Sequence, residues 1–269
     1  MSAEEERFIV HTPRGPLRLS ATLSGPVTGP PVVQLHGLGS SRAREDATGS
    51  SATAGAGQLR VLRIDAPGHG KSTGSTDPAD HTWAAHADLV AQVVGQAFPG
   101  RPVHGVGASM GAGTLLHAAV AGLFPLASLS LLIPPTAWGT RAAQAAGYEE
   151  AVDFLHRHGF ATFVNLLAQQ APTPTIGADQ PFSAPDLAPG TAPAVYLGAA
   201  RSDLPDAASL RRLQLPVQVL ARADDPAHPV STAEQLQELL RPADFAVAQT
   251  ETEILGWPRR VAGFIASMS

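Results

Sequence analysis

Ser109 is the residue whose type and setting best suit it to attack a substrate. It stands at the centre of Gly107-Ala108-Ser109-Met110-Gly111, with an apolar run before it (residues 101–106) and a helix-like run after it (113–121). That pattern predicts a strand, a sharp turn and a helix. At the tip of such a turn the serine projects out of the sheet, and the backbone N–H groups that follow point at whatever it attacks. The turn leaves no room for side chains at Gly107 and Gly111. A serine hydroxyl is a poor nucleophile at neutral pH without a neighbouring base, so the placing of histidines and carboxylates decides what Ser109 can do.

The elements that would position these residues alternate. Short apolar runs at 31–35, 59–64, 102–106, 126–133 and 216–221 read as strands, and segments of helical spacing lie between several of them. Trp83, Ala87, Val90, Val94 and Phe98 fall on one face of a helix over 83–98. Helices are also expected over 231–240 and 258–267, with a last strand at 245–248. This alternation predicts βα units and a largely parallel sheet. Residues 7–11 and 17–23 read as a hairpin across a turn at 13–16. Residues 40–57, rich in Ser, Ala, Thr and Gly, predict a loop with a weak helix. From 137 to about 213 the pattern changes: helices are expected over 149–158 and 160–170, then a Pro- and Gly-rich stretch over 171–193. Such an insert would lie over the carboxyl ends of the strands, where open α/β sheets bind ligands.

Composition narrows the field. A chain of 269 residues, 44% hydrophobic, is long enough for one large core. The net charge of −5 gives no basic footprint for nucleic acid. With no cysteine there is no thiol nucleophile, disulfide framework or thiolate metal site. The ten histidines are scattered without ligand spacing, so no metal is expected, and nothing calls for a cofactor. The first seven residues are acidic and polar, the reverse of a signal peptide, and no run of about 18 apolar residues occurs. These features predict a cytoplasmic protein that acts on a small molecule, with no membrane or nucleic-acid partner. They do not determine the oligomeric state.

Together these residues resemble the α/β-hydrolase family. His36-Gly37-Leu38-Gly39 is similar to its oxyanion loop. Asp65-Ala66-Pro67-Gly68-His69-Gly70-Lys71-Ser72 resembles its Asp-x-Pro-Gly-x-Gly-x-Ser turn. Gly107 to Gly111 matches its nucleophile elbow, and Asp225 with Pro229 resembles the loop that carries its acid. The resemblance runs from about residue 7 to 266. It implies an α/β-hydrolase fold with a mostly parallel sheet of about eight strands, a core over 1–134 and 214–269, and a helical cap over 135–213. It also implies an oxyanion hole made by the backbone N–H groups of Leu38 and Met110.

One departure stands out. The family's triad runs Ser, Asp or Glu, then His, with the histidine about seven residues before the proline that opens the last helix. Counting back seven from Pro258 gives Glu251, and no histidine follows His228. His228, in Asp225-Pro226-Ala227-His228-Pro229, is the candidate replacement, oriented by Asp225 or Asp224 as a carboxylate orients the imidazole in a triad. His36 and Trp138 are further candidates for the pocket, and Glu251 for a weak base. Three functions fit. The first is a serine hydrolase acting on a small or medium apolar carbonyl or ester compound. The second is a lyase, isomerase or cyclase using the same oxyanion hole. The third is a silent ligand-binding protein.

Overall fold

The computed structural model describes residues 4–170, 182–240 and 244–268. The first part of the Pro- and Gly-rich stretch expected after the second cap helix, residues 171–181, lies outside the described residues. β1 (Glu4–Thr12) and β2 (Gly15–Ser24) form the expected hairpin, but its turn is shorter than predicted. Gly15 and Pro16 already belong to β2 and pair with Thr12 and His11. Gly15 takes φ 131°, open to glycine, and Pro16 lies before β2 begins to pair with a second neighbour, where a missing N–H does no harm.

The chain continues through β3 (Pro31–Leu35), α1 (Arg42–Thr48), β4 (Arg60–Ile64), α2 (Trp83–Ala97), β5 (Val103–Ala108), α3 (Met110–Ala121) and β6 (Leu126–Leu132). Among the described residues three α-helices follow before the sheet resumes: α4 (Arg141–Leu167), α5 (Ala192–Ala200) and α6 (Ala207–Leu210). Then come β7 (Val217–Arg222), α7 (Val230–Leu240), β8 (Asp244–Ala248), α8 (Glu251–Leu255) and α9 (Trp257–Ala266). The eight strands form one sheet in the order β1-β2-β4-β3-β5-β6-β7-β8. β2 runs antiparallel to both neighbours, and every other pair is parallel.

Alternation along the strands explains why both faces are covered. Val32, Val61, Val106, Leu132 and Leu220 face α9 and pack with Trp257, Val261 and Ile265. Val33, Leu62, Leu129, Leu131, Val217 and Val219 point the other way, toward Val90, Leu115, Leu116 and Leu236 of α2, α3 and α7. The predicted face of α2 is buried at Trp83, Ala87, Val90, Val94 and Phe98.

The helical segment between β6 and β7 has an apolar cluster of its own, with Val152, Leu155, Phe163, Val195 and Tyr196 at its centre. Gly159, at φ 77°, breaks α4 between the two helices expected from the sequence. α5, α6 and α8 were not foreseen. Among the described residues no helix is long and apolar enough to cross a membrane.

The switch point of the sheet lies between β3 and β5, whose connections leave in opposite directions, β3 toward β4 and β5 toward β6; open α/β sheets bind ligands at such a point, outside the carboxyl ends. The loops after β3, β5, β6 and β7 all emerge at that end.

Candidate active site

Ser109 occupies the turn between β5 and α3 with φ 51° and ψ −112°. A non-glycine residue in that region is strained by about 1–3 kcal/mol and persists only where its surroundings enforce it. Here the Ser109 N–H donates to the Leu132 carbonyl at 3.0 Å, and its carbonyl accepts from Gly113 N–H at 3.1 Å. The neighbouring glycines are sterically required. A Cβ on Gly107 would lie 2.5 Å from the Gly111 carbonyl oxygen, and one on Gly111 would lie 2.4 Å from that of Leu35. α3 starts at Met110, directly after the serine and three residues earlier than its apolar run suggested. Met110 N–H is therefore one of the donors that a helix start leaves without a partner in its own helix.

The loop after β3 lies against the serine: a Cβ on Gly37 would come within 3.4 Å of Ser109 Cβ. Two buried histidines hold it. His36 Nδ1–H donates to the Gly37 carbonyl at 2.8 Å, and its Nε2 accepts from Ala66 N–H at 3.0 Å. His69 Nδ1–H donates to the Pro67 carbonyl at 2.9 Å, and its Nε2 accepts from Gly39 N–H at 3.1 Å. Each ring is thus fixed in its neutral form with both nitrogens satisfied by backbone. Burial pushes both pKa values down, that of His69 to about 3 with help from the nearby His36. His36, expected as a pocket candidate, is spent on shaping this loop. Among the described residues the Leu38 N–H has no hydrogen-bond partner, and the Leu38 side chain packs against both the core and the cap cluster. Asp65 is a turn residue: Arg42 Nη2, Arg42 N–H and Lys71 N–H donate to its carboxylate at 2.9–3.1 Å.

The loop after β7 brings Asp225 and His228 to the serine. His228 Nε2 lies 2.8 Å from Ser109 Oγ, and His228 Nδ1 lies 2.7 Å from Asp225 Oδ2. A tight turn joins acid and base, with His228 N–H donating to the Asp225 carbonyl at 3.1 Å and Ala227 N–H to Asp225 Oδ1 at 3.1 Å. Thr136 N–H, at the entrance to the cap, donates to the Ala227 carbonyl at 3.2 Å and ties this turn to the segment after β6. Burial alone would raise the Asp225 pKa. The hydrogen bond and charge of His228, with those of Arg222, outweigh it and hold the carboxyl well below its usual range. The ionised carboxylate can only accept, so His228 carries its proton on Nδ1 and offers the Nε2 lone pair to the serine hydroxyl.

Other expected residues are not part of this constellation. Of the two aspartates offered as orienting acid, Asp225 is buried against His228. Asp224 is exposed, with φ 55°, at the bend before it. Glu251 is the half-buried first residue of α8. Trp138 is tied down structurally: its indole N–H donates to the Pro205 carbonyl at 3.1 Å and its backbone N–H to the Asp203 carboxylate at 3.0 Å. Two features escaped the sequence. Arg222 donates from Nε to Asp225 Oδ2 at 2.5 Å, with Nη2 in ion-pair contact with the same oxygen at 2.5 Å; its one hint was a charge closing an apolar strand three residues before the acid. Asp186 laces the return segment of the cap to the oxyanion loop, with its N–H on the Gly39 carbonyl at 2.9 Å and its carboxylate taking the Ser41 hydroxyl at 2.6 Å. No local pattern announces a partner 145 residues away.

The model of the Alpha/beta hydrolase family matches residues 32–257. No curated protein matches the chain. Among solved structures, a thermophilic esterase from Thermogutta terrifontis superposes with TM-score 0.73 at 21% identity, covering 97% of each chain. A carboxylesterase structure from the thaumarchaeon Nitrososphaera gargenis gives 0.75 at 12% identity, over 97% of this chain and 98% of the other. The bottromycin epimerase BotH gives 0.70 at 18%, over 96% of this chain and 98% of the other. At these identities the likeness is one of fold. The family match reaches from β3 to the first residue of α9, and by it the chain belongs to the alpha/beta hydrolase family.

Proposed function

We propose that the protein is a serine hydrolase acting on a small or medium apolar ester or related carbonyl compound, with Ser109 as nucleophile, His228 as base and Asp225 as orienting acid. The observation that carries this reading is the continuous hydrogen-bonded row Ser109 Oγ, His228 Nε2, His228 Nδ1, Asp225 Oδ2 at 2.8 and 2.7 Å. Those separations are within reach for proton transfer without rearrangement. As Ser109 Oγ bonds to the substrate carbonyl carbon, its proton passes to His228 Nε2 and the carbonyl π electrons move to oxygen. The Leu38 and Met110 N–H groups hold that oxyanion. Collapse of the tetrahedral intermediate breaks the bond to the leaving group, which takes the proton from Nε2. Water, deprotonated by the same nitrogen, then releases the acid and restores the serine.

An apolar substrate is supported by the surroundings of Leu38, where Tyr148, Phe154, Phe160 and Leu167 are half-buried in the cap cluster. Asp225 and His228 share one loop in this reading, and the base comes from that loop rather than from the segment before α9.

The test is labelling with a fluorophosphonate probe, with the adduct located by peptide mass spectrometry in the wild type and in His228→Ala. Rapid labelling of Ser109 that collapses in the variant is expected, and a panel of apolar esters and thioesters follows. A folded wild type that does not label overturns the hydrolase reading and moves the search to proton transfer at the same oxyanion hole.

A further inference from the structure

Asp225 serves the Arg222 guanidinium and the His228 ring with one oxygen. Its Oδ2 accepts from His228 Nδ1 at 2.7 Å and from Arg222 Nε at 2.5 Å, with Arg222 Nη2 in ion-pair contact at 2.5 Å, while Oδ1 takes the N–H of Ala227 at 3.1 Å. The Asp225 side chain is 3% exposed and that of Arg222 is 14% exposed, so this is a partly buried ion pair inside the site rather than a surface one. Arg222 is the last residue of β7 and pairs in register with Ala248 of β8, so its backbone belongs to the rigid sheet. Asp225 and His228 belong to the turn beyond it, with Asp224 at a positive φ between strand and acid.

We infer that Arg222 is a positioning residue of the triad: it clamps the Asp225 carboxylate to the end of β7 so that Oδ2 meets His228 Nδ1. This rests on the proposed roles of Ser109, His228 and Asp225. The need follows from acid and base sharing one short turn. A carboxylate three residues from its imidazole has several staggered rotamers open to it, and only some aim Oδ2 at Nδ1. The Nε–H bond and the adjacent Nη2 ion-pair contact, which converge on Oδ2, remove that freedom, and a planar guanidinium does this better than a compact ammonium. The arrangement also has an electrostatic consequence. The imidazolium that forms during attack faces a carboxylate already shared with a permanent cation, so Arg222 adds to the organisation of the site while diluting the negative charge that His228 meets.

The experiment compares wild type, Arg222→Met and Arg222→Lys. Each preparation is normalised by its folded fraction from circular dichroism and assayed for the fluorophosphonate labelling rate and for ester kcat and KM. Arg222→Met is expected to lose about 10- to 100-fold in labelling rate and kcat, the range typical when an outer partner that orients a reacting group is removed. KM should stay within about twofold, since the clamp acts on the acid and not on bound substrate. Arg222→Lys, which restores one charged donor, should recover a large part of the loss. In proton NMR, the downfield imidazole N–H signal expected of a hydrogen bond to a carboxylate should weaken in Arg222→Met and return in Arg222→Lys.

Wild-type labelling in Arg222→Met overturns the inference, as does a loss that Arg222→Lys fails to reduce. The hydrolase reading fails separately, through a wild type that does not label. In that case the NMR signal still reports whether Arg222 orders the Asp225–His228 pair.

Discussion

The loops at the carboxyl end of the sheet use histidine in opposite ways on the two sides of Ser109's neighbourhood, holding a loop in one and meeting the serine in the other. In the loop after β3 and the turn after β4, His36 and His69 are buried, with both ring nitrogens committed to backbone groups. They are struts. In the loop after β7, His228 is half-buried, and its nitrogens meet a carboxylate and a hydroxyl. A strut needs a fixed tautomer and never changes charge. A base must be able to take a proton, and that requires a carboxylate to receive the resulting imidazolium. What each nitrogen touches, rather than the residue type or its nearness to the serine, separates the two roles.

The sharpest break of this comparison is to remove one histidine from each side. His228→Ala is expected to lower ester turnover by about 10⁴-fold or more while leaving thermal unfolding close to wild type. His69→Ala should do the reverse. Losing a fully buried ring and the acceptor for Gly39 N–H should lower stability by about 2–4 kcal/mol, with a smaller loss of turnover through a displaced oxyanion loop. Urea unfolding and steady-state kinetics on both variants check this. Equal loss of turnover in the two would erase the distinction.

A second substitution pair sharpens it within a single loop. Asp225→Asn keeps the shape but replaces an acceptor with a group that also donates, so His228 is driven toward the wrong tautomer. A fall of about 10³- to 10⁴-fold in kcat is expected. Asp224→Asn, one residue earlier, removes an exposed charge and tolerates the same positive φ, so kcat should stay within about twofold. If Asp224→Asn proves as damaging as Asp225→Asn, the assignment of the orienting acid is wrong.

Legibility in the sequence followed the range of the interaction. The strand–turn–helix around Ser109, the face of α2 and the alternating apolar strands rest on spacing within a few residues, and these elements form where the pattern put them, with α3 beginning three residues early. The break at Gly159 was readable because a glycine interrupts a helical run. The hairpin turn came out too long because Gly and Pro at 15 and 16 read as punctuation, although a β2 that has one neighbour at that point accommodates both. α8 was missed because it is five residues long and rests on a capping box between Thr250 and Glu253. At the candidate site, Ser109, Asp225 and His228 could be named because they sit in local motifs. The resemblance puts Asp225 ahead of Asp224 as the acid, but the spacing alone leaves both open, since the choice depends on which carboxylate the chain turns inward. Asp186 was invisible because its partner lies 145 residues away, while Arg222, only three residues before Asp225, was missed because a charge at a strand end does not say which way its side chain turns.

The smallest expected effect lies on the strut side and concerns acid. His69 is held neutral by burial, with its pKa lowered to about 3, and His36 and His86 are lowered in the same direction by burial. In the unfolded chain all three take up a proton near pH 6.5. Their contribution is therefore fully present above that pH and is lost as the pH falls toward the folded values. For His69 alone the loss is about 2–3 kcal/mol by pH 4.5. Glu45 works against it. Burial outweighs Arg63 and Gln34 and raises its pKa to about 7, so its contribution is fully present below about pH 4.5 and is lost as the pH rises through 7. Between pH 7 and 4.5 the Glu45 gain masks a loss of similar size from His69, and His36 and His86 still tilt the wild type toward instability in acid. Glu45→Gln removes the opposing group and leaves Arg63 paired with Asp46 at 2.6 Å. The variant should lose about 2–3 kcal/mol more than the wild type between pH 7 and 4.5 in urea unfolding. Parallel pH profiles for the two proteins would mean that Glu45 is already ionised in the folded state, and the wild type's acid sensitivity would then report the buried histidines alone.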